Sequence, residues 1–393
     1  MTATSTDELL YDPTDHDTLI DPHALFTRMR DEAPLYHRDD QDFYAVSRFA
    51  DIENVLVDRE TFVSHRGVVL GLLRSGLEFP GTMIFEDPPA HTIHRALLSR
   101  MFTSRRVAGL EAEIRDLCAR LMDPLIGSGG FDAVAEIASI VPMRVIGMLI
   151  GIPDEDQAGL RDRMLGDRDR EGQSIEQRLS GDLFADYIDW RVEHPSDDIM
   201  THLLTAEFAD EHGETVRLTR DELLTYLRIV AGAGNGTTRI LIGWYTKLLA
   251  DHPDQRALLV ADPSLIPNAI EETLRYEGNT LQNCRYVAKD VELHGEVVPA
   301  GSFMVTLTPS GNRDERVFED AQSYDVTRGI HHHLAFGFGS HYCLGQALAR
   351  LEGRIVLEEM LTRWPEWETD MSGARFMFHE DNRGWDSLPI VVP

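Results

Sequence analysis

Phe336-Gly337-Phe338-Gly339-Ser340-His341-Tyr342-Cys343-Leu344-Gly345 sets one cysteine among three glycines and three aromatic rings. Glycine has no Cβ, so backbone at 337, 339 and 345 can lie against a large flat group. A helical pattern then runs from Gln346 to Leu361, which puts Cys343 just before or in a first helical turn. Orphan N–H groups and the positive end of the helix dipole there favour a sulfur anion over a neutral thiol. Taken alone, Cys343 reads as a buried structural cysteine. The loop displaces that reading and points to a thiolate that ligates a metal in a planar cofactor. A phosphate-cradling loop is excluded, because it needs a lysine and then Ser or Thr, and Gln346-Ala347 follow instead.

The chain has 393 residues, 42% of them hydrophobic, enough for a substantial core. One domain over residues 1–393 is expected, with a small β-rich N-terminal lobe and a large helical lobe. Cys118, Cys284 and Cys343 show no pairing pattern, which suits a reducing cytoplasm. Met1 to Asp17 is polar and acidic, so neither a signal peptide nor a membrane anchor is expected. The most apolar region, Ile137–Ile152, is interrupted by Pro142 and Arg144. A formal net charge of −30 argues against nucleic acid and anionic membrane as partners. Against that background, Arg95, Arg100, Arg105, Arg106, Arg350 and Arg354 stand out as basic clusters. They read either as a solvated face or as a docking patch for an acidic partner.

Helical periodicity covers Pro22–Asp31, Ala50–Asp58, His91–Arg100, Arg105–Ile126, Ala133–Leu149 and Glu155–Leu165. It returns in Ser174–Glu193, Asp197–Ala206, Thr219–Ala250, Pro253–Ala261, Leu265–Tyr276 and Gly345–Arg363. Strand-like runs are Phe43–Val46, Tyr286–Val287, Val291–Leu293, Phe303–Leu307 and Ile390–Val392. The expected class is mainly α with small β-sheets.

The Thr219–Ala250 pattern is unusually long, and its middle reads Ile229-Val230-Ala231-Gly232-Ala233-Gly234-Asn235-Gly236-Thr237-Thr238. Glycine costs about 1 kcal/mol against alanine inside a helix, so three within five positions need a reason. Close approach of a flat ligand is one, and tight packing of another helix is the other.

Together, the cysteine loop and this helix resemble the cytochrome P450 family over nearly the whole chain. The resemblance implies the cytochrome P450 fold, with a haem b between the long helix and the cysteine loop and Cys343 as the iron ligand. Phe336, Gly337, Gly345, Ala233 and Gly234 would contact the cofactor. The family's oxygen-binding helix reads Ala or Gly, Gly, any residue, an acid, then Thr. Ala233-Gly234-Asn235 fit, Gly236 replaces the acid, and Thr237 takes the threonine that hydrogen-bonds dioxygen and helps deliver protons. Asn235, Thr238 or ordered water would have to carry protons instead.

His91 and Arg95 in Asp87-Pro88-Pro89-Ala90-His91-Thr92-Ile93-His94-Arg95 match the family's propionate contacts, as do Arg285 and His341. Glu272 and Arg275 match its buried Glu-x-x-Arg pair. The arginine that often closes that network is replaced by Ser323, leaving it looser or completed differently. His331, His332 and His333 are adjacent and lack metal-ligand spacing, so they read as loop residues.

The implied activity is hydroxylation or epoxidation of a lipophilic terpenoid, steroid, fatty acid or polyketide. Electrons would come from NAD(P)H through a ferredoxin and its reductase, docking near Arg100, Arg105, Arg106, Arg350 and Arg354. A cytoplasmic monomer is expected. By resemblance the substrate pocket draws on Val68–Phe85, Met164–Glu176, Ile229–Ala233, Gly278–Gln282 and Trp385–Leu388. Ile229, Val230 and Trp385 would be apolar walls, and one of Asn279, Thr280 or Gln282 would anchor an oxygen function. Two other readings are a peroxide-driven haem-thiolate enzyme, suggested by Gly236, and a haem or small-molecule binder without turnover.

Overall fold

The computed structural model describes residues 9–76, 81–153, 156–157, 184–379 and 382–393. The expected helix Glu155–Leu165, the first part of Ser174–Glu193 and the pocket segment Met164–Glu176 lie essentially outside them. The chain divides into two compact units. A mixed unit comprises Met1–Glu78, Glu271–Tyr342 and Phe376–Gly384, and a helical unit comprises Phe79–Ile270, Cys343–Arg375 and Trp385–Pro393.

The mixed unit is built on one five-stranded sheet. Its strands in chain order are β1 (Leu35–Arg38), β2 (Phe43–Val46), β3 (Phe62–Val63), β4 (Asn283–Val287) and β5 (Phe303–Thr306). They lie side by side in the order β1-β2-β5-β4-β3. Met304 on β5 sits opposite Tyr44 in a parallel pair with β2 and opposite Arg285 in an antiparallel pair with β4. The strands near the N-terminus and those between residues 283 and 306 therefore share one sheet. Side chains alternate across it. Val305 joins Phe26, Phe43 and Leu307 on one side, while Met304 joins Val46, Phe49 and Phe318 on the other. Strand β1 escaped the sequence reading because Leu35-Tyr36-His37-Arg38 ends in two polar residues.

The helical unit is organised by the central helix Arg220–Asp251, whose 32 residues run about 48 Å. Thr219 caps it. Its hydroxyl accepts from the Glu222 N–H, and the Glu222 carboxylate accepts from the Thr219 N–H at 2.7 Å. The helices Val141–Ile150 and Gln346–Arg363 pack against it, and Glu111–Met122 packs on the latter. Glycines permit both contacts. A Cβ on Gly234 would come within 3.0 Å of Ile146, and one on Gly353 within 3.2 Å of Leu241.

Two expected helices are broken in the structure. Arg105–Ile126 separates into Ser104–Gly109 and Glu111–Met122 at Gly109-Leu110, and ends in a 3-10 turn that contains Pro124. Ala133–Leu149 is a π-helical turn at Val134–Ala138 followed by the helix Val141–Ile150. Pro142 lies in that helix's first turn, where a missing N–H costs least. Among the described residues, no helix is long and apolar enough to cross a membrane.

Candidate haem-thiolate site

Cys343 is half-buried, in the short stretch between the 3-10 turn Gly339–His341 and the helix that begins at Gln346. Burial pushes its thiol up, while the Gly345 N–H and the Arg95 and Arg350 guanidiniums pull it back. These three groups favour the sulfur anion, against the larger effect of burial. Among the described residues, no cluster of three His, Cys, Asp or Glu side chains could hold a metal ion. A lone thiol with cationic neighbours suits a metal whose other in-plane ligands come from a macrocycle.

The glycines of the loop serve different ends. Gly337 and Gly339 have φ of +70° and +68°, a backbone region that other residues rarely adopt. A Cβ on Gly339 would also lie 2.8 Å from the Leu56 carbonyl oxygen. Fit to the helix Phe49–Val57, and not room for a flat ligand, therefore fixes glycine at 339. Gly345 has φ of −83°, and a Cβ there would meet nothing within 4 Å.

The central helix is buried over most of its length, but Gly232 and Ala233 are exposed and Ile229, Gly236 and Thr237 are half-buried. Their i, i+3, i+4, i+7 and i+8 spacing puts them on one stripe. A Cβ on Gly232 would meet no atom within 4 Å. This is a flat cradle of small residues in mid-helix, and it fits a planar group. Gly234 was expected beside Ala233 as a cofactor contact. Instead its bare Cα faces Ile146 and serves helix packing. Thr237 donates its hydroxyl to the Ala233 carbonyl at 2.9 Å, a bond to the preceding turn. Asn235 and Thr238 are buried, and Val230 is buried on the inner side of Ile229.

His91 is buried and Arg95 half-buried, one turn apart on the helix Ala90–Ser99. Burial, then the Arg95 charge, pushes His91 down. Burial lowers the basicity of Arg95 too, and the Cys343 sulfur opposes that effect. A partly desolvated cation beside a histidine is suited to a carboxylate.

Within the mixed unit, Phe336 is buried against the Tyr342 and His333 rings, at centroid distances of 6.4 and 5.6 Å. Arg285 is buried on β4 and donates to the Cys284 carbonyl. His341 is half-buried in the 3-10 turn. Glu272 and Arg275 are both 0% exposed and form a forked pair at 2.7 and 2.8 Å. Arg275 also donates to the carbonyls of Asn312, Ala321 and Ser323. The arginine that sequence reasoning could not find is Arg328. Its Nε donates to Glu272 Oε1 at 3.2 Å, and its guanidinium also reaches the Glu319, Asp320 and Ser323 carbonyls. The signal was Arg328 itself, five residues beyond the serine under inspection. In the histidine run, His333 is buried against Glu271 at 3.2 Å while His331 and His332 are exposed.

Two expected pocket residues have partners of their own. Trp385 packs on Trp244 at 5.7 Å and lies against Gly243, about 10 Å along the helix from Thr237. It is a core residue of the helical unit. Gln282 is buried, and its carbonyl accepts from the Tyr11 hydroxyl at 2.7 Å. Asn279 is buried, and Thr280 is half-buried and bonds Asn382 at 3.5 Å. Of the basic residues, Arg100 and Arg105 are exposed, whereas Arg106 pairs with Asp197 and Arg354 pairs with Glu111 and Glu358.

Comparison with known proteins agrees with this geometry. The cytochrome P450 family pattern matches residues 173–381. Cytochrome P450 123 of Mycobacterium tuberculosis is 36% identical over 400 residues, covering 98% of this chain and 97% of that protein. The steroid C26-monooxygenase of the same organism is 33% identical over 380 residues, covering 94% and 93%. The solved structure of a cytochrome P450 from Chondromyces apiculatus superposes with a TM-score of 0.86 at 33% identity, covering 97% of this chain and 98% of the other. The chain belongs to the cytochrome P450 family, the haem-dependent monooxygenases, and has that family's mainly helical fold with small sheets.

Proposed function

We propose that this monooxygenase hydroxylates or epoxidises a lipophilic small molecule with dioxygen, using two electrons from NAD(P)H passed on by a ferredoxin and its reductase. The observation that carries the reading is the cation-flanked, half-buried Cys343 in the same unit as an open small-residue stripe on the central helix. Haem b, when bound, supplies the dioxygen chemistry and the oxidising power. Cys343 would hold its iron, and His91 and Arg95 would neutralise propionates. For Arg285 and His341 the same role rests on the family pattern alone.

The remaining tasks fall to the protein's own groups. Gly232 and Ala233 keep the central helix flat where a planar group must approach. Thr237 holds a hydroxyl on that stripe, and turning it away from the Ala233 carbonyl would free it for a ligand. Glycine at 236 offers no proton, so Asn235 and Thr238 or water must hold and pass it. Ile229 and Val230 favour an apolar guest. Asn279 or Thr280 is the better candidate for an anchor, because the Gln282 carbonyl is already engaged by Tyr11. A steroid-class or macrolide-class substrate is supported by three relatives. One is the steroid C26-monooxygenase, another a Bacillus megaterium cytochrome P450 solved with corticosterone, and the third an EryK mutant solved with erythromycin B. The exposed Arg100 and Arg105 would receive the acidic electron donor, with Arg106, Arg350 and Arg354 contributing less because each bonds within the chain. A cytoplasmic monomer completes the proposal.

A second reading has its own support in Gly236, since peroxide brings its own protons and needs no acid at that position. Product formation with ferredoxin, reductase and NADH, compared with hydrogen peroxide alone, separates the two. Faster turnover with the electron donors supports the monooxygenase, and turnover with peroxide only overturns it.

A further inference from the structure

A buried acid and a histidine meet where the helix Ala90–Ser99 passes the start of the central helix. His94 Nδ1 lies 2.7 and 2.9 Å from the two oxygens of the buried Glu86. Glu86 closes the 3-10 turn Met83–Phe85, whose Phe85 N–H donates to the Thr82 carbonyl at 2.7 Å. Two rings meet the His94 ring edge-on, Tyr226 of the central helix at 6.0 Å between centroids and Phe208 at 6.4 Å. Tyr226 is buried, and its hydroxyl has no partner. The acid–histidine pair therefore ties the turn to the helix Ala90–Ser99, and the ring ties that helix to the central one.

Charge on His94 decides how tight this fastening is. The bond to Glu86 raises His94 above the ordinary 6.5, burial opposes it, and the charges of Glu86, Glu222 and Glu211 add to it. The three acids come from the turn, from the first turn of the central helix, and from the loop between the strands Phe208–Ala209 and Thr215–Val216. On its own helix His94 is flanked by His91 and Arg95, and its charge helps to push His91 down. The helix Ile199–Thr205 brings His202, whose Nε2 lies 3.1 Å from the Leu97 carbonyl. With its proton, His94 supplies the counter-charge to a buried carboxylate. Without it, Glu86 keeps at most a neutral hydrogen bond, and a buried charge stripped of its partner is penalised. Because the folded value is the raised one, the fastening is complete below the ordinary histidine value. It is lost as pH rises through the folded one.

We propose that Glu86 and His94 are positioning residues: together they hold the turn Met83–Phe85 against the helix Ala90–Ser99, and the turn loosens when His94 gives up its proton. The proton that leaves is the one on Nε2, since Nδ1 keeps its hydrogen on Glu86. It passes to solvent, which reaches a side chain that is 20% exposed. The turn belongs to the segment that the family resemblance assigns to the substrate pocket, so the effect on pocket shape rests on the monooxygenase reading above.

Amide hydrogen exchange of the purified holoenzyme tests the pair. Protection of the Phe85 amide is read between about pH 6 and about pH 9, corrected for the intrinsic rise of exchange with pH. Protection several-fold lower at the alkaline end in the wild type, with a flat profile in His94→Gln, is expected. A purely structural contact would instead lower protection equally at every pH in the variant. A flat profile in the wild type, or an unchanged loss in His94→Gln, overturns the proposal. If His94→Gln does not fold, Glu86→Gln serves: it should flatten the profile likewise, and an unchanged loss refutes the pair. For the pocket, carbon monoxide is the probe. Its rebinding to the reduced holoenzyme after a light flash should change rate several-fold over the same pH range in the wild type and not in His94→Gln. A pH-independent rate in the wild type overturns the turn's place at the pocket while leaving the exchange result intact. A protein that never binds haem would instead sink the monooxygenase reading, and the exchange profile of the haem-free chain would still decide the pair.

Discussion

Arg328 Nε lies 3.2 Å from Glu272 Oε1, so the completely buried Glu272 carboxylate faces two guanidiniums, those of Arg275 and Arg328. Both arginines also donate to the Ser323 carbonyl. The backbone at 323 is therefore held by the network even though its side chain contributes nothing. A buried charge stripped of its partner is penalised heavily. Arg275→Ala should cost about 3–5 kcal/mol, and Glu272→Ala a similar amount. Arg328→Ala removes the more exposed of the two guanidiniums, with its bond to Glu272 and its three carbonyl contacts, and leaves Glu272 paired with Arg275, so it should cost about 1.5–3 kcal/mol. Urea unfolding of the variants checks the ranking; equal loss for Arg328→Ala and Arg275→Ala would contradict it.

Two glycines of the cysteine loop should respond oppositely to alanine. Gly339→Ala strains a residue at φ of +68° and drives a Cβ to 2.8 Å from the Leu56 carbonyl. A loss of about 1–3 kcal/mol is expected, with reduced yield of folded protein. Gly345→Ala has ordinary φ and open space, and should unfold at nearly the wild-type midpoint.

Gly232→Leu tests the cradle. No atom of the chain lies near the added Cβ, and leucine has the better helix propensity, so thermal stability of the haem-free protein should rise by about 0.5–1 kcal/mol. Haem affinity should fall at least tenfold in a fluorescence-quenching titration. Unchanged affinity would mean that the stripe does not face the cofactor.

Acid should weaken the mixed unit in two stages. Burial, aided by the Arg313 and Arg383 charges and opposed by Glu277, holds His23 at about 4 instead of 6.5. Glu277 stays at about 2, because Arg383, His23 and Arg313 outweigh its burial. His23 is neutral in the fold but takes a proton once unfolded, so stability is full above pH 6.5 and falls as pH drops toward about 4. The loss should be on the order of 3 kcal/mol, with a further decline below pH 4.5 as unfolded Glu277 protonates. Denaturant titrations across this range measure the slope. His23→Gln should flatten the first stage only.

The sequence made the class of fold and the key cysteine readable because both rest on local signals. Cys343 announces itself through its neighbours, and the central helix through its Thr219–Glu222 capping box and long apolar period. What escaped depends on tertiary placement. Nothing local distinguishes Gly232, which faces open space, from Gly234, which packs on Ile146. That Trp385 packs on Trp244 has no local sign in the sequence either. The partner of Glu272 was legible in type but not in position, since a loop can deliver an arginine from 323 or from 328. Arg354 and Arg106 look like free positive charge in sequence, yet both meet carboxylates far along the chain.

One absorbance spectrum bears most directly on the central claim, that the Cys343 sulfur ligates haem iron. The purified, haem-loaded protein is reduced with dithionite, saturated with carbon monoxide and recorded beside Cys343→Ser. A long-wavelength Soret band in the wild type that is lost in Cys343→Ser is the expected result. A short-wavelength band in the wild type, or a long-wavelength band that survives the substitution, would contradict it.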